Sequence, residues 1–205
     1  MKLLNMGKSK RVLIVTASPR KNGNSTILAL KAAEGVNANG GEADVASIGN
    51  LKIGPCTACD KCRDLPEEGC VIQDDMQPLY KKIKDAQGVI FATPIYWFNV
   101  SAQMKLFIDR TYAMKDGSNY AFTGKDMGVI LAYEDEDVFA SGGINALRSF
   151  QDIFDYVKAN LVGMVYGSAD KAGDVQTNEK LLQKAYGLGK KIVNTSVAGA
   201  SLDSQ

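Results

Sequence analysis

Five short apolar runs, at 12–16, 43–48, 88–93, 127–132 and 162–167, alternate along the chain with segments whose apolar residues recur at helical spacing. That alternation leaves few folds open. Strands separated by helices pair in parallel, because a parallel connection needs a crossover long enough to hold a helix. Runs such as Val12-Leu-Ile-Val15 and Gly88–Thr93 are apolar without a break, as strands covered on both faces are. Helices are expected over Thr26–Asn39, with Ile27, Leu30, Ala33 and Val36 inward, and over Met76–Lys84, with Met76, Leu79, Tyr80 and Ile83 on one face. Further helices are expected over Ser101–Tyr112, Gly143–Ala159 and Asn178–Thr195. This order suits a doubly wound, five-stranded parallel α/β sheet of spatial order 2-1-3-4-5 with helices on both faces. Its ligand lies beyond the carboxyl ends of strands one, three and four. No repeat or linker divides the 205 residues, which read as one domain ending in a frayed tail at 198–205.

The turn after strand one is the most telling stretch. Ser18-Pro-Arg-Lys-Asn-Gly-Asn-Ser-Thr26 joins a strand to a helix start. The first helical N–H groups have no intrahelical partner and the helix dipole adds partial positive charge there, so such a turn is an anion site. Ser18, Asn24, Ser25 and Thr26 bring further donors, and Arg20 and Lys21 bring charge. The expected occupant is a phosphate. The loop is neither G-x-x-x-x-G-K-[ST] nor G-x-G-x-x-G, which argues against a nucleotide triphosphate and against the usual dinucleotide fingerprint.

Composition narrows the chemistry. The chain has no histidine, which removes Ser-His-Asp and Cys-His catalysis and imidazole metal sites. A formal net charge of +1 gives no case for nucleic acid or an anionic membrane as partner. No apolar run approaches the length of a membrane span, and no signal peptide is evident, so a cytoplasmic protein is expected.

The remaining ligand should meet the loops after strands three and four. The first, Pro94-Ile-Tyr-Trp-Phe-Asn99, sets the only tryptophan beside a tyrosine and a phenylalanine. It can wall a flat ring, or pack a sheet edge or a contact between copies. The second begins at Tyr133, carries the solvated acidic run Glu134–Asp137, and ends in Ser141-Gly-Gly143, where Gly142 permits close backbone approach. Residues 113–125 read as a surface connection, the alternative being that Tyr120 and Phe122 cap the ligand of the same or a neighbouring subunit. A phosphate and an aromatic plane at one switch point suggest flavin mononucleotide, FMN.

All four cysteines fall in Cys56-x-x-Cys59-x-x-Cys62-x7-Cys70. Thiols at this spacing can converge on one small object and suit a 4Fe-4S cluster. Zinc usually takes two C-x-x-C pairs across a longer spacer. Plain loop thiols, redox-active thiols and a disulfide stay open.

Four segments together carry a resemblance: Ser18-x-Arg20-x-x-Gly23-Asn24-Ser25-Thr26, Thr93-Pro-Ile-Tyr-Trp97, Met104-Lys105-x-Phe107-x-Asp109-Arg110 and Gly69-Cys-Val-Ile-x-Asp-Asp-Met76. They resemble the NAD(P)H-dependent FMN reductase and iron–sulfur flavoprotein family of the flavodoxin-like fold. The resemblance implies FMN, with its phosphate on Ser18, Arg20, Asn24, Ser25 and Thr26 and its ring on Pro94, Ile95, Tyr96, Trp97, Phe98 and Asn99. It implies an oxidoreductase taking electrons from NAD(P)H, or from a ferredoxin-like carrier, and passing them to a small acceptor such as a quinone, free flavin or dioxygen. A homo-oligomer is expected. The cysteine segment also resembles that of the iron–sulfur flavoproteins. The rival readings are a flavodoxin-like electron-carrier module and a thiol or cluster redox sensor.

Overall fold

The computed structural model describes residues 9–64 and 69–195. The expected tail at 198–205 lies outside them. The elements run β1 (Arg11–Thr16), α1 (Asn24–Ala38), β2 (Glu42–Ser47), a one-turn α2 (Lys61–Asp64), α3 (Gln77–Asp85), β3 (Gly88–Tyr96), β4 (Asn99–Val100), α4 (Ala102–Arg110), β5 (Asp126–Tyr133), α5 (Gly143–Tyr156), β6 (Asn160–Ser168) and α6 (Glu179–Asn194). The main sheet has the order β2-β1-β3-β5-β6, with every neighbouring pair parallel. This is the expected flavodoxin-like order. The two-residue β4 pairs back antiparallel onto the end of β3.

Residues of each strand alternate between two cores. On one face Leu13, Val15, Val89, Phe91, Val129 and Leu131 pack under α3, α4 and α5. On the other Val12, Ile14, Ile90 and Ala92 pack under α1 and α6. Phe91 centres the first core, with ring centroids 5.4 Å from Phe122, 5.4 Å from Phe150 and 6.2 Å from Phe107. The 113–125 segment is therefore not a plain surface connection, since Phe122 is buried in the core.

Two other expectations are corrected. The inner face of α1 is Leu28, Ala29, Ala32, Ala33 and Val36, while Leu30 is 49% exposed. The cause is a close approach to α6. A Cβ added to Gly35 would lie 2.1 Å from the Tyr186 carbonyl oxygen, and one added to Gly189 would lie 1.9 Å from that of Ala32. The small residues of α1 take the inner face because backbone meets backbone there. Second, Pro94–Asn99 is not an open loop. β3 continues through Tyr96, and Trp97-Phe98 forms a two-residue hairpin turn to Asn99, with φ of 47° and 63°. Left-handed φ at both turn positions matches the twist of paired strands, but costs non-glycine residues about 1–2 kcal/mol each. The turn is braced by Asn145 Nδ2, which donates to the Phe98 carbonyl at 3.2 Å.

Candidate functional site

The carboxyl ends of β1, β3, β5 and β6 surround one cleft of about 430 Å³. Its lining includes Ser18, Arg20, Gly23, Asn24, Ser25, Pro94, Ile95, Tyr96, Trp97 and Tyr133. The volume lies within the range of small-molecule sites. The three loops singled out in the sequence thus meet in space.

The floor of the anion loop is α1's first turn. Gly23 precedes it in extended conformation, and its carbonyl accepts from the N–H groups of Thr26 and Ile27 at 2.9 and 3.0 Å. A side chain at 23 would collide with Ser18, whose Oγ lies 2.1 Å from the Cβ position. Ser18 Oγ accepts from the Arg20 N–H at 3.2 Å, which curls the loop over the helix start. Ser25 is 1% exposed, and its Oγ has no hydrogen-bond partner among the described residues. A buried hydroxyl without a partner costs about 1–3 kcal/mol. At a helix N-terminus, beside unpaired N–H groups, that orphan fits an anionic ligand that supplies the missing acceptor.

Other sequence candidates sit differently. The Asn24 side chain has all its hydrogen-bonding capacity in use. Nδ2 donates to the Ala169 and Lys171 carbonyls at 3.1 and 2.9 Å, and Oδ1 accepts from the Gly173 and Val175 N–H groups at 3.1 and 3.2 Å. Asn24 can therefore offer an anion only its backbone N–H; its side chain ties the loop to the segment after β6. Thr26 Oγ1 is paired with Thr16 Oγ1 at 2.7 Å, beneath the loop. Phe98, Asn99 and Gly142 are not in the cleft lining. Gly142, at φ 70°, abuts Phe98, and a Cβ there would lie 2.4 Å from the Phe98 Cβ. Asn99 Oδ1 accepts from the Val100 N–H at 2.8 Å.

Sequence reasoning missed Gly23 as a contact and the whole fourth loop, where Ala169 and Asp170 join the lining and the Asp170 carbonyl accepts from Arg20 Nη1 at 3.2 Å. The polar stretch Ser168-Ala-Asp-Lys-Ala-Gly173 after the last strand was the available signal. Of the aromatic lining residues Trp97 is 94% exposed and Tyr133 is 7% exposed. Burial, then the nearby Tyr166 and Asp137, push the Tyr133 phenol up, so it stays a neutral donor.

The cysteines form a second feature. Cys56, Cys59, Cys62 and Cys70 all line one small cavity of about 20 Å³, together with Arg110 and Tyr112. All four are free thiols. Ala58 and Asp60 take left-handed backbone, with φ of 51° and 53°, as the loop coils between the first three. The Lys61 N–H and the Thr57 hydroxyl hold the Cys59 thiol below its ordinary value, while burial and the neighbouring Cys70 push Cys62 up. Among the described residues no group of three or more Cys, Asp or Glu is arranged to hold a metal ion. A four-iron cluster takes each thiolate on a different iron and so needs them further apart than one ion does.

Comparison with known proteins agrees with this geometry. Residues 10–174 match the family described as NADPH-dependent FMN reductase. The chain is 30% identical over 190 residues to an iron–sulfur flavoprotein of Methanocaldococcus jannaschii, covering 89% of this chain and 95% of that one. It is 34% identical over 182 residues to an iron–sulfur flavoprotein of Archaeoglobus fulgidus, covering 87% of this chain and 76% of that one. Among solved structures it is similar to the NAD(P)H:quinone oxidoreductase of Methanothermobacter marburgensis, with a TM-score of 0.68 over 89% of this chain and 96% of that one; at 20% identity that likeness is of fold.

Proposed function

The chain belongs to the NADPH-dependent FMN reductase family, and from that premise we propose that it passes electrons from NAD(P)H or a reduced carrier protein, through FMN in the cleft, to a small acceptor such as a quinone, free flavin or dioxygen. The observation that carries this is the buried Ser25 hydroxyl at the α1 N-terminus, without a partner among the described residues, in a cleft that Tyr96, Trp97 and Tyr133 also line. The helix start suits a phosphate and the aromatic side chains a flat ring. When bound, FMN supplies the hydride and electron chemistry, which explains how a chain without histidine can be an oxidoreductase.

The chain's own residues bind and orient. Ser18, Ser25 and the first N–H groups of α1 hold the phosphate, and Arg20 adds charge at the rim. Pro94, Ile95 and Tyr96 present the end of β3 to the ring edge. Tyr133, kept protonated by burial, offers a neutral hydroxyl to the same cleft. Among the described residues no helix is long and apolar enough to cross a membrane.

The same reading gives the cysteines a 4Fe-4S cluster, bound by Cys56, Cys59, Cys62 and Cys70. It is supported by all four cysteines lining one cavity and by the four-thiolate donor set. Each Cys→Ser change should then sharply lower the iron retained after anaerobic reconstitution with iron and sulfide, because a hydroxyl is a poor iron ligand. FMN content should stay within a few-fold. No stoichiometric iron in the unmutated protein would leave a simple FMN reductase.

For the flavin, the bound ligand is released by heat and identified by chromatography. FMN in stoichiometric amount is expected, and recovery of FAD or failure of the apoprotein to bind FMN overturns the reading. Arg20→Ala should weaken FMN about tenfold or more while riboflavin, which lacks the phosphate, is barely affected. Equal losses for both ligands would assign Arg20 to the fold instead.

A further inference from the structure

The last residue of α4, Arg110, is the largest fully buried side chain of the described protein, at 1% exposure. A guanidinium this deep needs partners, and all but one of its nitrogens have them. Nη1 donates to the Gly54 carbonyl at 3.0 Å and to Asp74 Oδ2 at 2.5 Å. Nη2 donates to the Ile72 carbonyl at 3.3 Å, to Asp74 Oδ1 at 3.2 Å and to the Cys70 sulfur at 3.4 Å. Gly54 precedes the first cysteine, and Ile72 follows the last. One planar fork therefore clamps both stems of the cysteine loop and touches one of its sulfurs. Asp74 fixes the clamp, accepting also from the Gly54 and Met76 N–H groups at 2.8 and 3.0 Å. Arg110 Nε is buried and has no partner among the described residues. Arg110 itself lines the cavity of the thiols.

We infer that Arg110 is the positioning residue of the cysteine centre: it fixes the loop stems, donates a hydrogen bond to the Cys70 sulfur and sets the electron affinity of the cluster those cysteines bind. This rests on the cluster reading above. Reduction adds one electron from the donor and no proton, so the four-thiolate group gains one negative charge. A fixed buried cation with N–H groups beside a sulfur favours that more negative state, as hydrogen bonds to cluster sulfurs do generally. Asp74 opposes it, because its carboxylate offsets part of the cation's charge. Lysine at 110 would keep the charge but not the fork that spans both stems.

The test compares the unmutated chain with Arg110→Gln and Asp74→Asn, each reconstituted with ferrous iron and sulfide under anaerobic conditions with FMN bound. The cluster midpoint is followed by electron paramagnetic resonance during titration with dithionite. Arg110→Gln should lower the ratio of reduced to oxidised cluster at fixed potential about tenfold, which is about 59 mV for one electron. Asp74→Asn should move the midpoint in the opposite direction. A merely structural role gives no such opposition of sign, since both changes loosen the same clamp. Midpoints unmoved in both variants, or moved the same way, overturn the inference while leaving the cluster reading intact. If Arg110→Gln does not fold, Asp74→Asn decides alone, and an unmoved or lowered midpoint overturns the inference. An unmutated chain that retains no iron overturns the cluster reading and the inference with it, and is recognised by the absence of iron before any variant is compared.

Discussion

Ser25→Ala should make the FMN-free protein more stable and its FMN complex weaker. The Ser25 hydroxyl is buried without a partner among the described residues, so removing it should relieve up to about 1–3 kcal/mol in the FMN-free protein. For a chain of this size each kcal/mol is about 2–4 °C in melting temperature. In the proposed complex the same hydroxyl would donate to a charged phosphate, an interaction of about 1.5–3 kcal/mol. Its loss should raise the FMN dissociation constant about ten- to 150-fold and leave riboflavin binding nearly unchanged. Melting curves of apoprotein and fluorescence titrations with both ligands check the two halves. A destabilised apoprotein, or equal losses for both ligands, would mean that Ser25 serves helix packing and not the anion.

Gly189→Ala should be severely destabilising, although alanine is the better helix former by about 1 kcal/mol. The new methyl would sit 1.9 Å from the Ala32 carbonyl oxygen, and backbone cannot step aside as a side chain can. Parting α1 from α6 costs about 3 kcal/mol or more, so the steric effect wins. The net loss of about 2 kcal/mol or more should lower the melting temperature by about 4–8 °C or more. Gly187, two residues away on the same helix, has nothing within 4 Å of its Cβ position. Gly187→Ala should therefore show the propensity gain alone and raise the melting temperature slightly. Thermal unfolding of both variants checks the pair; similar effects from both would mean that α1 and α6 are less closely apposed than described.

What could be read from the sequence was what depends on period and punctuation. The alternation of apolar runs with helical spacing carried the strand order, and strand order carried the meeting of the loops after β1, β3 and β5. The inner face of α1 was legible only in part: Ala33 and Val36 are buried as expected, but Leu30 is exposed, and the small residues Ala29, Ala32 and Gly35 face inward because α6 approaches so closely. The hairpin at Trp97-Phe98 was hidden because turns of that kind usually advertise themselves with Asn-Gly, and two aromatics do not. Asn24 looked like a donor to the ligand; its true partners lie after β6, beyond any local pattern. Arg110 stood in the sequence only as the end of one of the segments that carry the family resemblance. Only the fold could bring Gly54, Cys70 and Asp74 around it.

The four hydrogen bonds of Asn24 span 145 to 151 residues of chain. As the polypeptide leaves the ribosome, the proposed anion loop is made well before the backbone that braces it. Closing so long a loop is slow, and an N-terminal unit cannot settle early when its partners have not been synthesised. The proposed flavin pocket thus cannot be braced before residues 169–175 exist, and a nascent chain stopped before residue 169 holds a helix start whose anchoring amide has nothing to grasp. Cofactor capture at the proposed site would then follow the bracing of the loop rather than precede it.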